Sequence, residues 1–289
     1  MKKNPNQIKI SVYLCLSAIS IAFLTVSAFA QNVQLLKRTT YKTETVEFGQ
    51  GGTVSIIGAP VGSISIEGWQ KNEVEITAEI EVQAENETDL AQLAALDTFI
   101  LNETTMGRVS IVSVGTNDKD YMKRVAKKFP KKLLGLPFRI DYKIKVPVFC
   151  DLEITGNRGD LNLSNVEGAM RISFAETNAN LKLSGGGIIA TFGKGEINVE
   201  ILTRSWRGRT AEIQLASGNL NVLLPLNLNA ELDAAVLRTG KIENGYATLK
   251  PRDRTKFTDK LINAKVGNSG VRFLFTVGDG TLKLIESGK

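Results

Sequence analysis

"GNLNVLLP", residues 218–225, sets a glycine and a polar residue ahead of Leu220 and Val222, with Asn221 between them. The phrase returns along the chain as "GSISIEGW" (62–69), "GDLNLSNVEG" (159–168), "NANLKLS" (178–184), "GEINVEI" (195–201), "GKIENG" (240–245) and "GTLKLI" (280–285). Its first apolar position is filled by Ile64, Leu161, Leu181, Ile197, Leu220, Ile242 and Leu282. The second follows two residues later at Ile66, Leu163, Leu183, Val199, Val222 and Leu284, with a break at Asn244. Polar residues stand between the two. This period-two alternation marks short strands with one buried face and one wet face.

Further strands precede the turns, at Leu152/Ile154, Met170/Ile172/Phe174, Ile213/Leu215 and Phe273/Phe275/Val277. The unit is therefore strand, polar turn, strand, connection. Its intervals run 161→181 (20 residues), 181→197 (16), 197→220 (23) and 220→242 (22). A repeat near twenty residues cannot close a core alone, so it points to stacking: an all-β, β-solenoid or β-helix-like pile with a small helical insertion. Glycines before the second strand fit tight reversals with positive φ, and Asn178 is expected to take that role in its own rung. The alternative is an antiparallel β-sandwich of hairpins, since the same Gly-Asp and Gly-Asn pairs mark hairpin turns.

Lys2, Lys3 and Lys9 precede an apolar run at 10–26, and Ala28-Phe29-Ala30 is a small-x-small site before Gln31. This is the pattern of a cleaved secretory signal peptide over 1–30, leaving 31–289 as one elongated domain. Cys15 would leave with the signal, so Cys150 alone remains and no intramolecular disulfide forms. No later stretch is long and apolar enough for a transmembrane helix. The formal charge of +6 falls to +3 once the three signal lysines are removed, too weak a balance to argue for nucleic acid. The chain has no histidine, which excludes Ser-His-Asp and Cys-His nucleophile systems and histidine metal ligands. No catalytic residue, cofactor site or metal site is expected.

Residues 86–145 interrupt the repeat. "NETDLAQLAALD" reads as a short helix with Leu90, Leu93 and Ala94 on one face, and "FILNETTMGRVSIVSV" as two strands around Met106-Gly107. In "DKDYMKRVAKKFPKKLLGLPF" (118–138), Tyr121, Met122, Val125 and Phe129 share a helical face opposite Lys123, Arg124, Lys127 and Lys128. Such a segment either lies on an anionic surface or caps the stack with its apolar face inward. "RSWRGR" (204–209) offers Trp206 between Arg204 and Arg207, a stacking platform for a sugar or a ring folded over the edge of the stack. Asp160 and Glu196 occupy equivalent turn positions two rungs apart, with Asn180 between them. A pair of carboxylates at that separation is the one feature compatible with a carbohydrate-active enzyme, and solvated turn residues are its simpler explanation. Asp279 is read as a further turn acid.

The signal peptide, "GSISIEGWQKNEVEITAEIEV", the short helix, "YKIKVPVFCDLEITGNRGDLNLSNVEG" and "ASGNLNVLLP" together resemble the bacterial putative-adhesin β-repeat family. That resemblance implies an elongated solenoid-like domain exported to the periplasm or cell surface, and it supplies no catalytic residues. The function expected is non-enzymatic surface contact with an envelope polysaccharide, an anionic lipid surface or an envelope protein. A structural or sensory envelope component without a small ligand is the alternative.

Overall fold

The computed structural model describes residues 35–105, 107–125, 129–252, 254–268 and 270–287. The signal-like segment 1–30, with Cys15, lies outside them. In chain order the elements are β1 (Leu36–Glu47), β2 (Thr53–Ile57), β3 (Ile64–Trp69), β4 (Glu73–Ala84), α1 (Glu87–Ala94), β5 (Thr98–Thr105) and β6 (Arg108–Val114). Next come α2 (Lys119–Val125), a 3-10 turn (Lys131–Leu133), β7 (Arg139–Pro147), β8 (Asp151–Arg158), β9 (Leu161–Ser164), β10 (Ala169–Glu176) and β11 (Ala179–Leu183). The chain continues through β12 (Gly187–Ile201), β13 (Ala211–Pro225), β14 (Ala230–Val236), β15 (Gly240–Asn244), β16 (Lys250–Pro251), β17 (Leu261–Val266) and β18 (Val271–Ser287). With 63% strand and 7% helix, the fold is all-β.

All eighteen strands belong to one sheet that curls on itself. Two ladders make it up. The first runs β5-β6-β2-β8-β10-β12-β13-β18-β14-β17-β16. The second runs β1-β4-β7-β3-β9-β11-β12-β13-β18-β15. From β8 to β13 the pairing is parallel and in register, and antiparallel pairing is confined to the two ends. β12, β13 and β18 are long enough to run through the bend and serve both ladders. Inward side chains of both arms form one core: Ile172, Phe174, Phe192 and Ile213 from one, Leu181, Val199 and Val222 from the other. Each such buried apolar side chain contributes about 1.5–3 kcal/mol.

Three expectations need correction. The register places Leu161 beside Ala179, and Ala179 beside Ile197. The first column therefore runs Leu161, Ala179, Ile197, Leu220, Leu282, and Leu181 sits between Leu163 and Val199. The spacing is 18, 18 and 23 residues, and the 16-residue rung disappears. Alanine is small and gives a weak apolar signal, yet a column flanked by Leu and Ile accommodates it. Second, Thr177 rather than Asn178 stands level with the corner glycines, and Asn178 does not have positive φ. Third, 86–145 is woven into the stack: β6 pairs β2 in parallel and β7 pairs β3 in parallel. Within that region the helix with Leu90 and Leu93 buried, and the strands on either side of 106–107, form as the pattern indicates.

The bend is made by glycine. Gly218 has φ +133°, and a Cβ built there would overlap the carbonyl oxygen of Gly195 in the next rung. Gly195, Gly280 and Gly240 repeat the arrangement against the carbonyls of Thr177, Gly218 and Gly280. Gly218→Ala should cost about 2 kcal/mol or more in denaturant melts, since it combines backbone strain with a clash against main chain. Gly107→Ala, with nothing within 4 Å of its added methyl, should be close to neutral. On the corrected register Leu181→Ala should cost about 2–4 kcal/mol and Lys182→Ala less than about 0.5. Equal costs for the members of either pair would reject the register.

Candidate functional site

The basic segment opens at Asp118, whose Oδ1 accepts the N–H groups of Asp120 (3.0 Å) and Tyr121 (2.9 Å) and starts α2. Tyr121 and Met122 are buried against Val114, Leu96 and Phe129, and the Tyr121 hydroxyl donates to the Leu96 carbonyl at 3.1 Å. The helix is thus seated on the β5–β6 end of the sheet. Its apolar face is only partly used: Val125 is 50% exposed, and Leu134 beyond it is 46% exposed. Lys123 is exposed and pairs with Asp120, and Arg124 is exposed without an ion pair among the described residues. Lys127 and Lys128 lie outside the described residues. Thr116, Lys119, Met122, Lys123, Phe129, Lys131 and Leu134 border an open groove of about 770 Å³. Lys119 and Lys131 were not singled out from sequence, because only the fold brings the two sides of 126–128 around one hollow.

Trp206 is not an exposed stacking platform. It is 9% exposed, its ring meets Phe273 edge-on at 5.3 Å, and its Nε1 donates to the carbonyls of Gly186 (2.9 Å) and Arg209 (3.1 Å). The indole holds the turn closed, with Arg204 and Arg207 pointing into solvent and Arg207 3.7 Å from Glu167. Arg209, fixed by that indole, joins Arg171 along a shallow groove on the outer face of the first ladder. The tryptophan that remains accessible is Trp69, covered by Lys71 and Lys145 at 4.4 and 5.1 Å from its ring.

Asp160 and Glu196 are exposed corner residues with Asn178, not Asn180, in the rung between them; Asn178 Oδ1 accepts the Glu196 N–H at 3.2 Å. Nothing encloses the pair. Asp279 receives Arg238 and Thr239 side chains at 2.6 and 2.9 Å, which hold its carboxyl down at about 2 and clamp the β14–β15 turn to β18. Asn162, Asn180, Asn198 and Asn221 form a ladder on the outer face, in which Asn180, Asn198 and Asn221 each donate to the asparagine of the rung before at 2.9–3.1 Å. Cys150 is buried and its thiol is pushed up to about 12, which removes it as a nucleophile. No group of three or more His, Cys, Asp or Glu positioned to hold a metal occurs among the described residues.

Beneath the groove lies Asp97, 2% exposed, whose Oδ1 accepts the Thr116 N–H at 2.9 Å. Thr116 in turn donates its hydroxyl to the Leu136 carbonyl at 3.1 Å. Burial raises the Asp97 carboxyl from 3.8 to about 6, against the opposing effect of the Thr116 hydrogen bond. The acid inside the apolar run "LAALDTFI" was the available signal.

No protein-family model matches the chain, and no curated protein matches it. Among solved structures, it is similar to a putative cell adhesion protein from Clostridium sporogenes at 12% identity, over 86% of this chain and 100% of that one, with a TM-score of 0.45. It is also similar to a putative adhesin from Bacteroides fragilis at 10% identity, 85% and 97% coverage and a TM-score of 0.28. A putative lipid binding protein from Parabacteroides distasonis follows at 11% identity, 84% and 96% coverage and a TM-score of 0.27. Likeness at this level carries no site or activity across.

The Asp97 environment has a measurable sign. The folded state holds this proton more tightly than the unfolded chain, so the charged carboxylate weakens the fold at pH 7 and the penalty fades as pH falls through about 6 towards 4. Asp97→Asn, which keeps the acceptor for Thr116, should therefore stabilise the protein by roughly 2–3 kcal/mol at pH 7 and by little at pH 4. Urea melts of both proteins across that range check it; a variant less stable than wild type at pH 7 would contradict it.

Proposed function

We propose that this is an exported, non-enzymatic protein of the bacterial cell envelope that acts by surface contact, with a β-solenoid-like stack as its rigid scaffold. The parallel, in-register rungs support the solenoid-like reading. The signal-like segment at 1–30 supports export to the periplasm or cell surface.

One observation carries the contact reading. On α2 and around its groove, exposed apolar side chains and cations occur together. Val125 and Leu134 are about half exposed, and Lys119, Arg124 and Lys131 make no ion pair among the described residues. Cations over exposed hydrocarbon suit the surface of a membrane leaflet containing acidic lipids. An anionic polysaccharide would engage the cations but leave Val125 and Leu134 without a role. The capping function of α2 coexists with this, because Tyr121 and Met122 face the sheet while the next turn faces out.

Replacing Lys119, Lys123, Arg124 and Lys131 together by Gln should weaken co-sedimentation with vesicles containing phosphatidylglycerol. Each cation near such a surface contributes about 1 kcal/mol, so the loss at low salt should be on the order of a hundredfold or more. The melting temperature should barely move, because exposed charges hold little of the fold. Wild-type protein that stays in the supernatant at low salt would overturn the reading. So would a variant that binds equally well.

A further inference from the structure

The curled sheet has four edges, and three of them are blunted. β5 carries a register shift between Glu103 and Thr105, and its Phe99 carbonyl accepts the Lys42 ammonium at 3.0 Å. β16 is two residues long and ends on Pro251, which has no N–H to offer. β15 is covered by the loop before β17: Asp259 supplies a carbonyl to the Ile242 N–H at 2.6 Å, and the Lys260 ammonium reaches the carbonyls of Arg238 and Gly240 at 2.8 and 2.7 Å. These are the devices by which proteins prevent edge-to-edge pairing.

β1 has no bulge, proline or covering loop, although it carries Lys37, Arg38 and Lys42. Its twelve residues pair with β4 without a bulge or a proline, and no described residue hydrogen-bonds to the outer side of its backbone. Thr39, Tyr41, Thr43 and Thr45 suit an extended strand, and Tyr41 is 71% exposed. We infer that a second copy of this chain pairs its own β1 antiparallel along this edge, about a two-fold axis at Tyr41, so that the second ladder continues across the dimer.

The register follows from charge and pleat. Facing residues must share a sheet face, which restricts the axis to steps of one residue along β1. An axis at Thr40 sets Arg38 against Lys42 of the other copy, and an axis at Lys42 sets the two Lys42 side chains against each other. The axis at Tyr41 avoids both, and it pairs a longer run of β1, Leu36 through Val46, than axes at Thr39 or Thr43 allow. It places Arg38 opposite Glu44, Leu36 opposite Val46, Thr39 opposite Thr43 and the two Tyr41 rings together. Opposite charges and like apolar residues across from one another are the pairs that stabilise a ladder. An isologous contact of this kind closes on itself and yields a dimer, not a filament.

Sedimentation velocity on the purified protein should show a dimer, and Tyr41→Lys should shift it towards monomer by at least about tenfold in dissociation constant while leaving the protein folded. Site-directed oxidation fixes the register. Tyr41→Cys should cross-link to itself, because directly opposed residues bring the two Cβ atoms within disulfide reach. Thr39→Cys and Thr43→Cys should each fail alone and cross-link when mixed. Cys150, 1% exposed, does not interfere. A wild-type monomer at about 50 μM, a dimer unaffected by Tyr41→Lys, or self-linking of Thr39→Cys as fast as Tyr41→Cys would each overturn the inference.

Discussion

Main chain resting on main chain at the corner between the two ladders is the contact on which the rest of the structure depends. At Gly195, Gly218, Gly280 and Gly240 the Cα lies so close to the carbonyl of the neighbouring rung that any side chain would occupy its place. This approach lets β12, β13 and β18 turn sharply while keeping parallel hydrogen bonds on both sides of the bend. The inward columns then face each other, and one core forms from two arms of the same sheet. Thr177, at the same level, shows the limit of the rule: its rung is interrupted there between β10 and β11 and does not run through as one strand.

The order of the strands makes the ends of the chain dependent on its middle. β2 and β3 lie between β6/β7 and β8/β9, and β18 lies between β13 and β14/β15. β2, β3 and β18 are thus built into the interior of the ladders, whereas β1, β5, β15 and β16 are outermost. Pairings over such sequence distances are slow to form, because loop-closure entropy is lost before the contacts repay it. The arrangement also leaves the sheet with edges it must manage, and the contrast between three protected edges and β1 becomes informative for that reason.

Much of this was legible. Period-two alternation located the strands, the recurring glycines located the corner, and Leu90 and Leu93 located α1. Register was the failure, and it had a readable cue: Asn162, Asn180, Asn198 and Asn221 are separated by the true repeat, and their side chains form one hydrogen-bonded ladder. Ala179 does not stand out beside the larger apolar residues of its column. The insertion of β2/β3 and β18 into the stack left no mark in local pattern, since a parallel strand has the same alternation whichever neighbours it finds. The same holds for the candidate site. The cations of α2 were visible, whereas the burial of Trp206 and the convergence of Lys119 and Lys131 depend on which surfaces the fold brings together.

Function, on this reading, belongs to surfaces carried by a stiff frame. The groove at α2 and the edge at β1 lie at the end of the ladders that begins with β5 and β1, away from the glycine corners of the central rungs. Amide hydrogen exchange resolved along the chain tests that frame most directly. Because β18 has a strand on each side, its amides should exchange as slowly as those of β12 and β13, through global unfolding alone, although they belong to the last residues of the described chain. Exchange in β18 as fast as in β16, with β12 and β13 still protected, would contradict the frame.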